Sequence, residues 1–241
     1  MFRALGNSLL SLIAPQECHV CSRIVNDSAY GIACDACWSA TQLFDNSSRL
    51  CAKCGSYSGQ HARPRETRCD KCVEHHYDKA AAAGVYGKAL AATVLHLKTV
   101  PHLAPAARTA LRTAFDRAGF SPSLIIPVPL SRRRRLERGY NQADVIGRIV
   151  SQFSGVPVDD LSLKRQLHSP AHRVGMDMKA RELTVKNSFE VTRPELVARQ
   201  NVLLVDDVFT SGSTTSNCAR VLKEAGAARV DVLTLARAVS D

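Results

Sequence analysis

In the last third of the chain, apolar residues appear first as a block and then at helical spacing. Val202, Leu203, Leu204 and Val205 are contiguous, the pattern of a strand covered on both faces in a parallel sheet. Polarity then switches abruptly to Asp206 and Asp207, and a small-residue turn follows, Thr210, Ser211, Gly212, Ser213 and Thr214. Beyond it Ala219, Val221, Leu222 and Ala225 recur at roughly helical spacing until Gly226 supplies a stop. The same reading upstream predicts a strand over 80–86, a helix over 88–98 and a second helix over 101–117 opened by Pro101. A strand over 123–130 comes next, ended by prolines that cannot extend a ladder. A helix over 140–153 then turns Ala143, Ile146, Ile149, Val150 and Phe153 to one face. Strands alternating with helices predict an α/β domain, a parallel sheet flanked by helices. Residues 1–14 carry only a brief apolar patch and no cleavage site leads into a mature domain, so they read as a short amphipathic helix lying on the body rather than a signal peptide.

The front third follows a different pattern. Eight of the nine cysteines form Cys-x-x-Cys pairs: Cys18 with Cys21, Cys34 with Cys37, Cys51 with Cys54, and Cys69 with Cys72. Each pair sets two thiolates on one tight knuckle, and two knuckles complete a tetrahedral shell that suits zinc. Twelve residues separate the first pair from the second and fourteen the third from the fourth. Those intervals fit a double zinc ribbon of consecutive pairs, while a crossed pairing, first with third and second with fourth, stays open. Disulfides would need an oxidising compartment that nothing in the sequence indicates, and a redox dithiol is expected once rather than four times. Four sulfurs per site leave no position for water, so the zinc is expected to be structural. Trp38 and Leu43 are expected to supply the module's apolar packing, the nearby His19, His61, His75 and His76 to lie on the surface, and Cys218 to be a small core residue. The shift in composition places a boundary at residue 79, giving a cysteine-rich domain over 1–79 and an α/β domain over 80–241.

Composition changes this picture in two respects. No apolar run reaches the ~20 residues a bilayer crossing needs, so membrane insertion is not expected and the chain reads as cytoplasmic. The formal charge of +10 is uneven: Lys and Arg number nine against eight acids through Lys79, but 23 against 14 from Ala80 onward. The α/β part is therefore the basic part, which suits a polyanionic partner, a pyrophosphate or a nucleic acid.

Two segments carry candidate chemistry. A glycine-containing turn feeding a helix start collects free amides and the positive end of the helix dipole, which suits a phosphate. A dianion would not tolerate Asp206 and Asp207 beside it, so these carboxylates should face another part of the same ligand, such as vicinal sugar hydroxyls. The second segment is Arg132 to Arg135 with Arg138, five arginines crowded between the strand at 123–130 and the next helix. Loops at the carboxyl ends of parallel strands form the ligand crevice, and a planar guanidinium matches pyrophosphate oxygens. Lys98 reads as a helix-terminal cation or as a second ligand-side charge.

The run from Val202 to Thr214 resembles, without a gap, the signature of the type I phosphoribosyltransferases. The resemblance implies a sheet of that type, Asp206 and Asp207 on the ribose 2′- and 3′-hydroxyls, and Thr210, Ser211, Gly212, Ser213 and Thr214 around the 5′-phosphate of phosphoribosyl pyrophosphate. Family members that act on 6-oxopurines carry an Asp where this chain has Thr210, which argues against that salvage activity. Together with the cysteine module, Pro127 to Leu130 and Arg134 to Gln142 extend the resemblance to the ComF family of competence-associated proteins. Arg165, Arg181 and Phe189 match a further family stretch, which the resemblance implies is a hood over the ligand, and in which His172 replaces a Gln and Thr184 an Asn.

The resemblance implies handling of imported DNA during transformation, with single-stranded DNA and DNA-uptake proteins as partners. If it extends to catalysis, a nitrogen nucleophile displaces pyrophosphate from ribose C1, with magnesium neutralising the leaving charge. Arg134, Arg138, Lys98 and His172 are the candidate assisting residues, and no general base is evident. A non-catalytic protein whose ligand regulates its interactions is the remaining reading.

Overall fold

The computed structural model describes residues 16–56, 69, 72–166 and 188–239. The expected helix over 1–14, His61, His172, Arg181 and Thr184 lie outside the described residues.

After a 3-10 turn at Ser28–Tyr30 and a short helix α1 (Asp35–Ser39), strand β1 (Lys79–Val85) leads into helices α2 (Lys88–His96) and α3 (Pro105–Ala118). Strand β2 (Leu124–Pro127) is followed by helices α4 (Arg132–Arg138) and α5 (Gln142–Ser154). A small pair, β3 (Leu163–Arg165) and β4 (Phe189–Val191), and one helical turn α6 (Pro194–Val197) precede β5 (Asn201–Phe209), α7 (Ser213–Glu224) and β6 (Arg229–Arg237). The main sheet runs β1-β6-β5-β2 with every neighbouring pair parallel, while β3 and β4 pair antiparallel.

Alternation along the strands sorts the core into two faces. Leu203, Val205, Leu233, Leu235 and Ile125 cluster with α2, α3 and α5, through residues such as Leu90, Leu111 and Ile146. Val202, Leu204, Val230, Val232 and Ile126 cluster with Cys218, Ala219 and Leu222 of α7. Each cysteine module joins a different face: Cys18, Cys34, Cys37 and Trp38 belong to the first cluster, and Cys51, Cys54 and Cys72 to the second.

The boundary expected at 79 coincides with the first residue of β1, but the cysteine-rich segment also covers that strand's outer edge. Phe44 N donates to Ala83 O at 2.9 Å, Val85 N to Gln42 O at 2.9 Å, and Ala80 N to Lys53 O at 2.6 Å. Leu43, expected inside, bridges to Gly84 through its backbone and leaves its side chain 41% exposed. Phe44 takes the buried place instead, because the register of that edge turns the odd position outward.

Several boundaries differ from expectation. α3 begins at Pro105 rather than Pro101, since a proline inside the helix would clash with the carbonyl four residues back, whereas at the first helical position its missing N–H is harmless. α2 ends at His96, so Lys98 follows the helix rather than closing it. The arginine segment, expected as a loop, forms α4, capped by Ser131 and stopped by left-handed Gly139.

Candidate functional site

Asp206 and Asp207 lie within β5, at its carboxyl end, and not in the loop behind it. The apolar alternation breaks there: Val205 faces the first cluster, yet Val208 also packs against the first and Phe209 joins the second. The acids satisfy the amides at this break. Asp206 Oδ1 accepts from Asp207 N at 2.9 Å, and Asp207 Oδ1 from Val208 N at 2.7 Å. Both carboxylates are half-buried. Burial, and then the neighbouring Asp207 carboxylate, push the Asp206 carboxyl up to about 8.

The turn behind them is a compact knot. Gly212 adopts φ of +80°, and a Cβ there would lie 2.5 Å from Phe209 Cζ, so no other residue fits without displacement. Ser211 Oγ and Ser213 Oγ lie 2.8 Å apart, and Thr215 Oγ1 donates to Gly212 O. The first helical hydrogen bond runs from Ser216 N to Gly212 O, and no side chain caps α7. Ser213 N donates to Ser211 Oγ at 3.3 Å, and the amides of Thr214 and Thr215 precede the helical ladder and are available to an anion. Thr210, Ser211, Ser213 and Thr214 are exposed.

Topology brings the arginine segment to the same edge. β2 and β5 are adjacent and parallel, but α5 packs with the first face and α7 with the second. The chain therefore switches faces between these two strands, the topology at whose carboxyl ends open parallel sheets take their ligands. Asn141 Nδ2 donates to Val128 O at 3.0 Å, pinning the start of α5 to the end of β2. Arg138 Nη1 donates to Gln142 Oε1 at 2.8 Å, and Gln142, 2% exposed, keeps its buried amide nitrogen without a partner. Tyr140 donates its hydroxyl to Leu97 O at 2.7 Å, which joins Lys98 to this segment. Arg133 pairs with Glu137 at 2.7 Å and Arg135 with Asp144 at 3.9 Å, whereas Arg132 and Arg134 are exposed and make no ion pair among the described residues. Arg165 lies over the Phe189 ring at 5.4 Å, at the root of the expected hood.

The eight paired cysteines form two tetrads, Cys18/Cys21/Cys34/Cys37 and Cys51/Cys54/Cys69/Cys72, so consecutive pairs join and the crossed arrangement is not adopted. Sulfur separations are 3.7 Å for Cys18–Cys37, 3.6 Å for Cys21–Cys34, 3.7 Å for Cys51–Cys72 and 3.5 Å for Cys54–Cys69. Four sulfurs about 2.3 Å from one ion lie ~3.8 Å apart in a tetrahedron, so the donor sets fit zinc. Cys34 N and Cys69 N each donate to a sulfur of the preceding knuckle at 3.2 Å, the outer-shell contact that steadies a thiolate. Arg23 draws the Cys21 thiol down to about 6, toward the form a metal requires. Cys218 is buried in α7, as expected of a core residue.

The sequence reading missed three residues at this edge. His75, expected on the surface, is half-buried against Gly212, and burial and Lys53 lower its pKa. Tyr77 is 1% exposed with its hydroxyl unpartnered, and Arg237 is 8% exposed beside Phe209. Only the buried apolar context of 230–236 could have marked Arg237, because a charge inside such a run requires a partner.

Comparison with known proteins agrees with this geometry. The double zinc ribbon domain family matches residues 9–75 and the phosphoribosyl transferase domain family residues 143–241. The chain is 33% identical over 222 residues to Competence protein F of Haemophilus influenzae, covering 85% of this chain and 90% of that one. It is 28% identical over 235 residues to the DNA utilization protein YhgH of Salmonella typhi, covering 94% and 99%. It is 32% identical over 115 residues to Competence protein ComFC of Bacillus subtilis, covering 47% and 44%. No helix among the described residues is long and apolar enough to cross a membrane. With a phosphoribosyltransferase-like parallel sheet and a cysteine module that supports structural zinc, the chain belongs to the ComF family.

Proposed function

We propose that the protein binds phosphoribosyl pyrophosphate with magnesium at the carboxyl ends of β2 and β5 and serves DNA uptake by handling single-stranded DNA in the cytoplasm. The observation that carries this reading is the placement of two half-buried acids three residues before a glycine turn that leads into a helix whose Thr214 and Thr215 amides precede the helical ladder. In this reading Asp206 and Asp207 accept hydrogen bonds from the ribose diol, and the turn from Thr210 to Thr214 holds the 5′-phosphate. Arg138, steadied by Gln142, and Lys98, joined through Leu97 and Tyr140, face the pyrophosphate across the crevice. Magnesium would neutralise pyrophosphate oxygens there. The relatives named for competence and DNA utilization support the biological role.

Thr210 offers a hydroxyl in place of the carboxylate that would accept a proton from an incoming base. Binding without turnover is therefore the proposed activity. Calorimetry with phosphoribosyl pyrophosphate and magnesium tests it: saturable binding is expected, and Asp206→Asn with Asp207→Asn should abolish it in a folded protein. Absence of binding in the unaltered chain refutes the reading. Release of pyrophosphate in the presence of a nucleobase establishes a transferase in place of a binder.

A further inference from the structure

We propose that the second cysteine tetrad, acting through His75 and Arg237, positions the phosphate-binding turn, so that its integrity and not that of the first tetrad sets affinity for a sugar phosphate. This inference rests on the phosphate reading of the turn and adds to it the cysteine module packed behind it.

Three contacts join the second tetrad to the turn. Arg237, at the end of β6, donates from Nη1 to Cys54 O at 2.5 Å and places Nη2 3.7 Å from Cys54 Sγ. The same guanidinium lies 4.3 Å from the ring centroid of Phe209, the residue on which the turn begins. His75, three residues beyond Cys72, stacks on Tyr77 at 5.1 Å, and its Nε2 lies 3.3 Å from the position a Cβ on Gly212 would occupy. His76 N donates to Ser216 Oγ at 3.1 Å, inside the first turn of α7. Lys53 Nζ fixes the His75 carbonyl at 2.6 Å, so both knuckles of the tetrad grip this residue.

The electrostatics favour the same arrangement. Zinc held by four thiolates leaves a net negative charge on the sulfurs, and a 92% buried guanidinium requires a compensating anion. Arg237 receives it from Cys54 and delivers its ring contact to Phe209. The packing between tetrad and turn is open: a cavity of about 290 Å³ borders Cys54, Cys72, Thr210 and Ser211. The turn is therefore propped at discrete points, and loss of one prop leaves room for it to collapse. The first tetrad packs with α2 and α3 on the opposite face of the sheet, and none of these contacts involves it.

The test uses the full-length chain, with amide hydrogen exchange of residues 210–216 and calorimetry of ribose 5-phosphate with magnesium. Arg237→Met and His75→Ala are expected to keep two zinc atoms, to melt cooperatively, to exchange faster in 210–216 and to bind about tenfold more weakly, the scale of outer-shell substitutions. Arg237→Lys should recover part of the loss, which mere filling of space would not. Cys21→Ser in the first tetrad should leave exchange of 210–216 unchanged. The proposal is overturned if both variants, folded and zinc-loaded, bind and exchange like the unaltered protein, or if Cys21→Ser loosens the turn equally. If the unaltered protein binds no ribose 5-phosphate while the exchange contrast holds, the positioning role stands and the phosphate reading falls.

Discussion

Asp206 combines two roles that pull its chemistry in opposite directions. A free aspartate titrates near ~4, whereas burial and Asp207 raise the Asp206 carboxyl to about 8. Between those values the folded protein holds a proton that the unfolded chain has lost. The penalty for ionising Asp206 is absent below about pH 4, and it grows as pH rises toward 8. Asp206→Asn removes it, so this variant should melt higher than the unaltered protein, by roughly 2–4 °C at pH 8 and by less at pH 5. Scanning calorimetry at the two values checks the sign: an equal shift at both would exclude the raised carboxyl as its cause. The same proton must leave before the carboxylate can accept from a sugar diol. Ligand titrations at pH 7 in buffers of different ionisation enthalpy should therefore report proton release, and Asp206→Asn should not show it. Stability given up at Asp206 is the cost expected of a preformed site if the proposed diol contact holds.

Elements differ in how far their residues announced them. β5, α5 and α7 were legible because a contiguous apolar block or a clean helical period leaves one face to bury. β6 was not anticipated, since Asp231, Thr234 and Arg237 interrupt its apolar run; Asp231 is tolerated because Arg229 Nε reaches it at 2.7 Å. α4 was masked by four consecutive arginines that carry no apolar period, although Ser131 before it and Gly139 after it were the available signals. The break in alternation at the acid pair was also invisible, because it depends on side-chain oxygens capping main-chain amides. Gly212 gathers these element-level constraints in one position. Gly212→Ala combines a left-handed φ with a clash against Phe209 and should cost about 1–3 kcal/mol. Denaturant unfolding measures that loss, and a neutral result would mean that the Phe209 ring moves freely.

At the scale of the whole molecule, the cysteine-rich segment serves the sheet as well as itself. Parallel sheets need both faces and both edges covered, and here each tetrad packs on one face while residues 42–53 bond the free edge of β1. Removing metal should expose that edge, so chelation is expected to cause association as well as loosening; light scattering during chelator titration distinguishes the two. Charge is distributed to complementary effect. The basic excess lies in the α/β part, and Arg132 and Arg134 of α4 are exposed and make no ion pair among the described residues. A single strand crossing there would lay phosphates on those guanidiniums, and aromatic residues at 5% of the chain leave little surface for base stacking. Binding should accordingly follow salt more than sequence. Replacing Arg132 and Arg134 with Ser should weaken oligonucleotides of different sequence alike and reduce the slope of log affinity against log salt by roughly 1.4, two contacts at about 0.7 each. Fluorescence anisotropy over a salt series measures that slope. An unchanged slope would move the strand to another face of the protein, while leaving the sugar phosphate site in place.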